Sequence, residues 1–320
     1  MLWWHWGLIF FFFSIVVFGL IGGGLYYYWP HHLSCSYAAL DAQHLAEAQD
    51  GLAHWPPMNY TLPKIMWSYW HADILPPPIQ QIIDARRRML PDWDIRCLSA
   101  THVSRYIDTT TLPPHYHKLS HCHQADLIRL LLLEKYGGAW LDSSIIINKA
   151  AAFNKVYEQC QQHRSALLAF TLGGTEDYIE NWCFLAPPRS FVVRFWRQEL
   201  TKAITLGFVS YKRVVQHAGV LIHKKILAAG TYLTMHSALQ VIRHRMPKAL
   251  MATLTLLPAE EAMFRVHVAC HWQKECITAA FTDPTRFATT SAIPYIKLLG
   301  AASWTVDLAP YFQFLDHGIM

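Results

Sequence analysis

The chain has 320 residues, of which 53% are hydrophobic and only 15% charged; this excludes a disordered chain, a coiled coil and a polyelectrolyte tail, and leaves room for one large domain or two modest ones. The net charge is +5, and all 27 Lys and Arg lie from Lys64 onward, whereas Asp41, Glu47 and Asp50 precede it. The body beyond Lys64 therefore carries the positive excess, which suits an anionic small molecule or an anionic lipid surface, while its one basic cluster, Arg86 to Arg88, is too short for a nucleic-acid interface.

Leu8 to Leu25 is apolar apart from Ser14 and glycines, with Trp3, Trp4 and Trp6 before it and Tyr26, Tyr27, Tyr28 and Trp29 after it. About 20 apolar residues span a bilayer, and aromatic girdles sit where headgroups meet hydrocarbon. The pattern predicts one transmembrane helix within a membrane anchor over residues 1–29. A cleaved signal peptide would show basic residues ahead of its apolar stretch and a small-residue cleavage site behind it, and neither is clear here. Residues 30–62 are loosely helical and mildly acidic and end in Trp55-Pro56-Pro57, which predicts a stalk between the membrane and a body over residues 63–320. Within the stalk, Asn59-Tyr60-Thr61 fits a glycosylation sequon.

The body opens with Pro63 to Trp70, rich in aromatic and branched residues, which predicts a buried strand ending before Pro76-Pro77-Pro78. A helix over about Ile79 to Met89 and a second strand over Pro91 to Leu98 follow, the start of an α/β sheet. His115, His117, His121 and His123 then crowd together. No HExxH accompanies them in a chain with 19 histidines, so capping and surface roles are expected rather than a metal site. Ser120 to Tyr136 is the strongest predicted helix, with Ser120 as N-cap, an apolar face from Ile128 to Leu133 and Gly137-Gly138 as its stop. On its surface Asp126 and Arg129, three residues apart, are neighbours.

Ala139 to Ile147 predicts a strand interrupted at Asp142, a carboxylate that is costly to bury without a partner. Strand periodicity points Asp142 and Ser144 to the same side, where two oxygen ligands could share a hard cation. Two readings stay open: these residues form a site, or Asp126 and Arg129 are a surface ion pair and Asp142 marks a strand end. Further on, Gly173-Gly174 reads as a loop, and Arg194, Arg197 and Lys202 as the solvated face of a helix over about Ser190 to Ala203. The seven cysteines are scattered without a CxxC pair, which predicts free thiols in a reducing compartment.

The run Ala125 to Ser144, ADLIRLLLLEKYGGAWLDSS, resembles the central block of the DXD-type sugar transferases of glycosyltransferase family 32, and in particular their capsular-polysaccharide-synthesis relatives. PKIMWSYW from Pro63 to Trp70 resembles the opening strand of that family. Tyr178 to Phe184, Thr231 to Leu239 and Tyr295 to Leu298 resemble its later landmarks. The resemblance implies an α/β fold of the GT-A type: a Rossmann-like nucleotide-sugar-binding domain behind the N-terminal transmembrane helix. It implies a membrane-anchored hexosyltransferase that takes a sugar from a nucleotide-sugar donor and passes it, with retention, to a glycan or lipid-linked acceptor. Asp142 and Arg129 would be catalytic, and Asp126, Arg129, Ser144 and Lys297 would contact the donor. Trp67 and Tyr69 would stack on its base. Asp142 and Ser144 would hold Mn²⁺ or Mg²⁺, although Ser144 stands where the usual second acid does and brings no negative charge. That departure keeps a second reading open, a turnover-deficient transferase-like protein that binds glycan or nucleotide. A cytosolic domain is expected if the source is bacterial, and a Golgi-lumenal one if it is eukaryotic.

Overall fold

The structure, a computed structural model, describes residues 42–173, 178–298 and 306–317. The expected anchor at residues 1–29 lies outside them, and among the described residues no helix is long and apolar enough to cross a membrane.

Chain order explains the architecture. Helix α1 (42–53) precedes strand β1 (Ile65–Tyr69), α2 (Pro77–Met89) and β2 (Asp94–Leu98). The proline pair opening α2 fits the first turn, where a missing N–H leaves nothing unsatisfied. After short 3₁₀ turns comes α3 (His121–Tyr136), whose N-cap Ser120 accepts a hydrogen bond from the His123 amide at 3.4 Å. It stops at Gly137, where φ is +67°, and Gly138 follows at φ +97°. A Cβ on Gly138 would collide with the Ile65 carbonyl, so the Tyr-Gly-Gly step is demanded by how closely α3 delivers the chain onto β1.

The second half supplies β3 (Gly138–Leu141), β4 (Ile145–Ile147), α4 (Ala150–Gln162), β5 (Leu167–Thr171) and β6 (Ile179–Ala186). Then come α5 (Phe191–Leu206), α6 (Phe208–His217), α7 (Lys224–Ala228), α8 (Thr234–Arg245) and α9 (Pro247–Met251). The chain continues through β7 (Leu254–Pro258), α10 (Arg265–Ala269), α11 (Lys274–Thr282), α12 (Phe287–Ser291), β8 (Tyr295–Lys297) and α13 (Ala309–His317). Six strands form one mixed sheet in the order β2-β1-β3-β6-β5-β7, parallel at β1/β2, β1/β3 and β5/β7 and antiparallel where β6 meets β3 and β5. This is the α/β class the sequence predicts.

Alternation along the strands sorts side chains between two layers. Trp67, Trp140 and Phe184 face α3, α5 and α8, while Met66, Leu141 and Leu185 face Phe153 and Val156 of α4. A third cluster joins Ile79, Ile82 and Ile83 of α2 to Ile146 of β4, Ile296 of β8 and the aromatic rings Phe281 and Tyr311.

Three expectations are corrected. The predicted strand over Ala139 to Ile147 is two strands in different sheets: Asp142, Ser143 and Ser144 form a turn, with the Ile145 amide bonded to the Asp142 carbonyl at 3.1 Å, and β4 pairs antiparallel with β8. A carboxylate beside two serines competes with the ladder and favours the turn. Over its described part, the segment expected as a stalk is packed on the body. Ala48 is buried, Leu45 and Leu52 pack on the core, and the Trp55 indole donates to the Arg164 carbonyl at 3.0 Å. Tyr60 donates from its hydroxyl to the Ser165 carbonyl at 3.0 Å, so folded structure reaches well ahead of Pro63. Finally, Cys270 and Cys276 form a disulfide, while Cys97, Cys122, Cys160 and Cys183 are free.

Candidate functional site

Parallel strands β1 and β3 end at one edge of the sheet, and ligands of open α/β sheets bind beyond such carboxyl ends. A cleft of about 550 Å³ opens there. Its floor is the turn after β3. The Asp142 amide donates to the Trp182 carbonyl at 2.8 Å, and from behind, the fully buried Arg86 of α2 grips the turn. Its guanidinium donates to the Asp142 carbonyl at 2.6 Å, to the Ile145 carbonyl at 3.0 and 2.6 Å, and to Ser68 Oγ at 2.9 Å. Burial pulls this guanidinium down to about 10, still high enough to keep it charged at neutral pH.

The Asp142 carboxylate points into the cleft between two cations. Lys297 Nζ donates to Oδ2 at 2.6 Å, and Trp140 Nε1 donates to Oδ1 at 3.0 Å. Arg129 Nη2 lies 3.6 Å from the same Oδ1. Burial pushes the Asp142 carboxyl up, but Lys297, then Arg129, then the hydrogen bonds from Lys297 and Trp140 outweigh it, and the net displacement is downward. Asp142 is therefore a fixed anion.

Arg129 is held from several sides. Its plane lies over the Trp140 ring at 4.8 Å, its Nε donates to the Ala125 carbonyl at 3.2 Å, its Nη1 donates to the Asn181 carbonyl, and its Nη2 sits 3.3 Å from Asp126 Oδ1. Asp126 also accepts from Asn181 Nδ2 at 3.1 Å. Here burial dominates and raises the Asp126 carboxyl above its ordinary range, Arg129 pulling the other way without prevailing. The i,i+3 pair read from the sequence is thus no surface ion pair: both side chains are buried, at 8% and 6% exposure.

Of the residues expected in the site, Asp126, Arg129, Asp142, Ser144, Tyr69 and Lys297 all line this cleft. Trp67 does not. Its indole is fully buried, donates to the Gly137 carbonyl at 3.0 Å and is enclosed by Tyr106, Tyr136 and Arg96, so it cannot stack on a bound base. Beside Tyr69, Trp70 and His71 also line the cleft, the latter stacked on His121 at 3.9 Å. Burial, then His121, lowers the His71 pKa and favours its neutral, stackable form. Of the four clustered histidines, His121 is the one that lines this cleft.

Several contributors escaped sequence reasoning. Arg86 was visible only as part of a charge cluster. Glu180 and His236 face each other across the far wall with His236 Nε2 at 3.6 Å from Glu180 Oε2, and both His236 ring nitrogens lack a hydrogen-bond partner. A glutamate near the start of the mostly apolar Ile179–Ala186 strand was the signal for that pair. Away from the cleft, Arg194 and Arg197 pair with Glu134 of α3, and Lys202, expected on a solvated face, is buried against Glu199. With Arg189, the two arginines line a second groove of about 630 Å³ on the other flank of α3.

A divalent cation fits this donor set poorly. Among the described residues, no group of three or more His, Cys, Asp or Glu is arranged to hold a metal. Both Asp142 oxygens are engaged, and Ser144 is buried and uncharged, its carbonyl accepting from the Leu298 amide at 3.0 Å. The turn also breaks the period-two geometry that would have set Asp142 and Ser144 side by side as ligands.

Residues 47–204 match the family model described as capsular polysaccharide synthesis protein. The O-glycosyltransferase braB of Annulohypoxylon truncatum is 37% identical over 97 residues, 26% of this chain and 23% of that protein. The glycosyltransferase afumC of Aspergillus fumigatus is 25% identical over 174 residues, 48% of this chain and 44% of that protein. The O-glycosyltransferase PaGT of Phomopsis amygdali is 27% identical over 149 residues, covering 42% and 37%. The chain spans less than half the length of each of these relatives. Among solved structures, the galactosyltransferase LgtC in complex with donor and acceptor sugar analogues overlaps 80% of this chain and 96% of its own at 12% identity and a TM-score of 0.39. The PaToxG glycosyltransferase overlaps 69% and 89% at 13% identity and a TM-score of 0.34. Likenesses this distant carry no argument here. The family model and the sequence relatives bear out the resemblance to family 32-like sugar transferases.

Proposed function

We propose that this protein is a glycosyltransferase that moves a sugar from a nucleotide-sugar donor to a hydroxyl group of a glycan or lipid-linked acceptor. The observation that carries the reading is the Asp142 carboxylate held between Arg129 and Lys297 at the carboxyl edge of β3, inside a cleft walled by Tyr69, Trp70 and His71. The bond between the anomeric carbon and the β-phosphate oxygen breaks, and its electron pair stays on the phosphate. The acceptor oxygen bonds to that carbon and its proton is released. Arg129 and Lys297 meet the growing charge on the departing diphosphate. The aromatic wall takes the base, and Glu180 and His236 offer polar atoms to sugar hydroxyls. Retention at the anomeric carbon follows the resemblance.

Residues 1–29 tether the enzyme to a membrane in this proposal. The Cys270–Cys276 disulfide and the exposed Asn59 of the sequon favour placing the domain on an oxidising, lumenal side if the source is eukaryotic. For a bacterial source the cytosolic placement follows, because the donor is made there. Ser144, in place of a second acid, favours the alternative of a binding protein without turnover. Incubating the purified full chain with a panel of UDP- and GDP-sugars and measuring released nucleoside diphosphate separates the two. Donor-dependent release supports the transferase; binding without release supports the alternative.

A further inference from the structure

The motif that would hold a divalent cation in the resemblance is built here around a lysine. Lys297 is no wandering surface side chain. It lies on β8, its Cα in register with Ile145 of β4. Its amide donates to the Met263 carbonyl at 3.1 Å, and the next amide, Leu298, donates to the Ser144 carbonyl at 3.0 Å. Two backbone anchors thus fix the base of a side chain whose ammonium is 2.6 Å from Asp142 Oδ2 and 6.0 Å from the centre of the Trp182 ring. Opposite, Arg129 is locked over Trp140 and between Asp126 and Asp142.

Two carbonyls of the turn are also committed. The Asp142 carbonyl accepts from Arg86 and from the Ile145 amide, and the Ser144 carbonyl from Leu298. A cation entering beside Asp142 would face the Lys297 ammonium on the same carboxylate, and the nearby Asp126 is already paired with Arg129. Arg129 and Lys297 set two fixed cations on the Asp142 carboxylate without any ion, with Asp126 sharing Arg129 from the other side. That is the charge a diphosphate needs, and an arginine fork with an ammonium supplies directed hydrogen bonds to its oxygens.

We infer that Lys297 and Arg129, braced by Asp142, stand in for a divalent cation as the counter-charge of the donor diphosphate, so that donor binding does not require Mn²⁺ or Mg²⁺. This rests on the transferase reading above and goes beyond it.

Calorimetric titration of the full chain with UDP and with GDP, each in excess EDTA and in excess Mn²⁺, tests it. For the nucleotide that binds, the inference predicts dissociation constants equal within about twofold in the two buffers. It predicts that Lys297→Met weakens binding by about tenfold or more, a loss of roughly 1.4 kcal/mol. Wild-type binding that vanishes in EDTA and returns with Mn²⁺ overturns the inference and leaves the transferase reading standing. No binding of either nucleotide in either buffer overturns both. The wild-type comparison needs no variant, so it decides even if a substituted chain fails to fold.

Discussion

Asp126 and Asp142 flank the same guanidinium, yet their surroundings drive them apart. Asp142, at the end of β3, receives Lys297 and Trp140 besides Arg129, and its carboxyl is held below the ordinary range. Asp126, on α3, is more deeply buried and pairs with Arg129, and its carboxyl is raised. Paired carboxyls with opposed displacements divide the work of a site: the surroundings of Asp142 favour its anion, and those of Asp126 favour it less. Asp142 is the electrostatic keystone of the cleft, and Asp126 positions Arg129 and Asn181.

That division can be broken from behind. Arg86→Met removes donors to the Asp142 and Ile145 carbonyls and leaves them buried without a full set of partners. Destabilisation of about 3 kcal/mol is expected in urea unfolding, since each unsatisfied buried group costs about 1–3 kcal/mol. A stability loss within error would show that the Asp142 turn holds itself. Next in size is Asp142→Ala, expected to lower donor turnover by about 10²-fold or more, with a loss of stability smaller than that of Arg86→Met. Near-normal turnover in the purified variant would remove Asp142 from the site.

Arg129→Lys sharpens the contrast between the two acids, because only the planar fork reaches both. It should cost nearly as much activity as Arg129→Ala, about tenfold or more, with the loss in kcat/KM. Recovery of most activity by lysine would make Arg129 a generic positive charge.

The smallest effect concerns pH. A depressed carboxyl such as Asp142 contributes stability that is present above its unfolded value, near 3.8, and lost as pH falls through the folded value. For the raised Asp126 the sign reverses: its ionisation costs stability, and that cost sets in as pH climbs through its folded value. At neutral pH, Asp142→Asn should therefore be less stable than Asp126→Asn by about 1 kcal/mol, and the gap should close as pH falls below the carboxylate range. A gap that widens on acidification would reverse the assignment of the two acids.

Much of this was legible in the residues because local rules agreed with the fold. Ser120 and Gly137-Gly138 bound α3 as capping and steric rules require, and the i,i+3 spacing put Asp126 beside Arg129. What was illegible depends on contacts distant in sequence. Arg86 reaches the turn across 56 residues and Lys297 reaches Asp142 across 155, and no local period marks either. Trp67 misled for a related reason. Alternation gave it a face, but which part of that face opens into the cleft was decided by Tyr106 and Tyr136 closing over it. The stalk reading erred because a short, weakly apolar helix says little about what it packs against until Phe191 is seen beneath Gly51. Truncation at Leu62 would remove Trp55 and Tyr60 from that packing, so a soluble domain is better begun ahead of residue 42.

A structure of the chain soaked with UDP or GDP tests the central claim most directly. The account predicts the diphosphate within hydrogen-bond reach of Arg129 and Lys297, beside Asp142, with the base against Tyr69, Trp70 and His71. A nucleotide bound instead in the groove lined by Arg189, Arg194 and Arg197, with the Asp142 cleft empty, would contradict it.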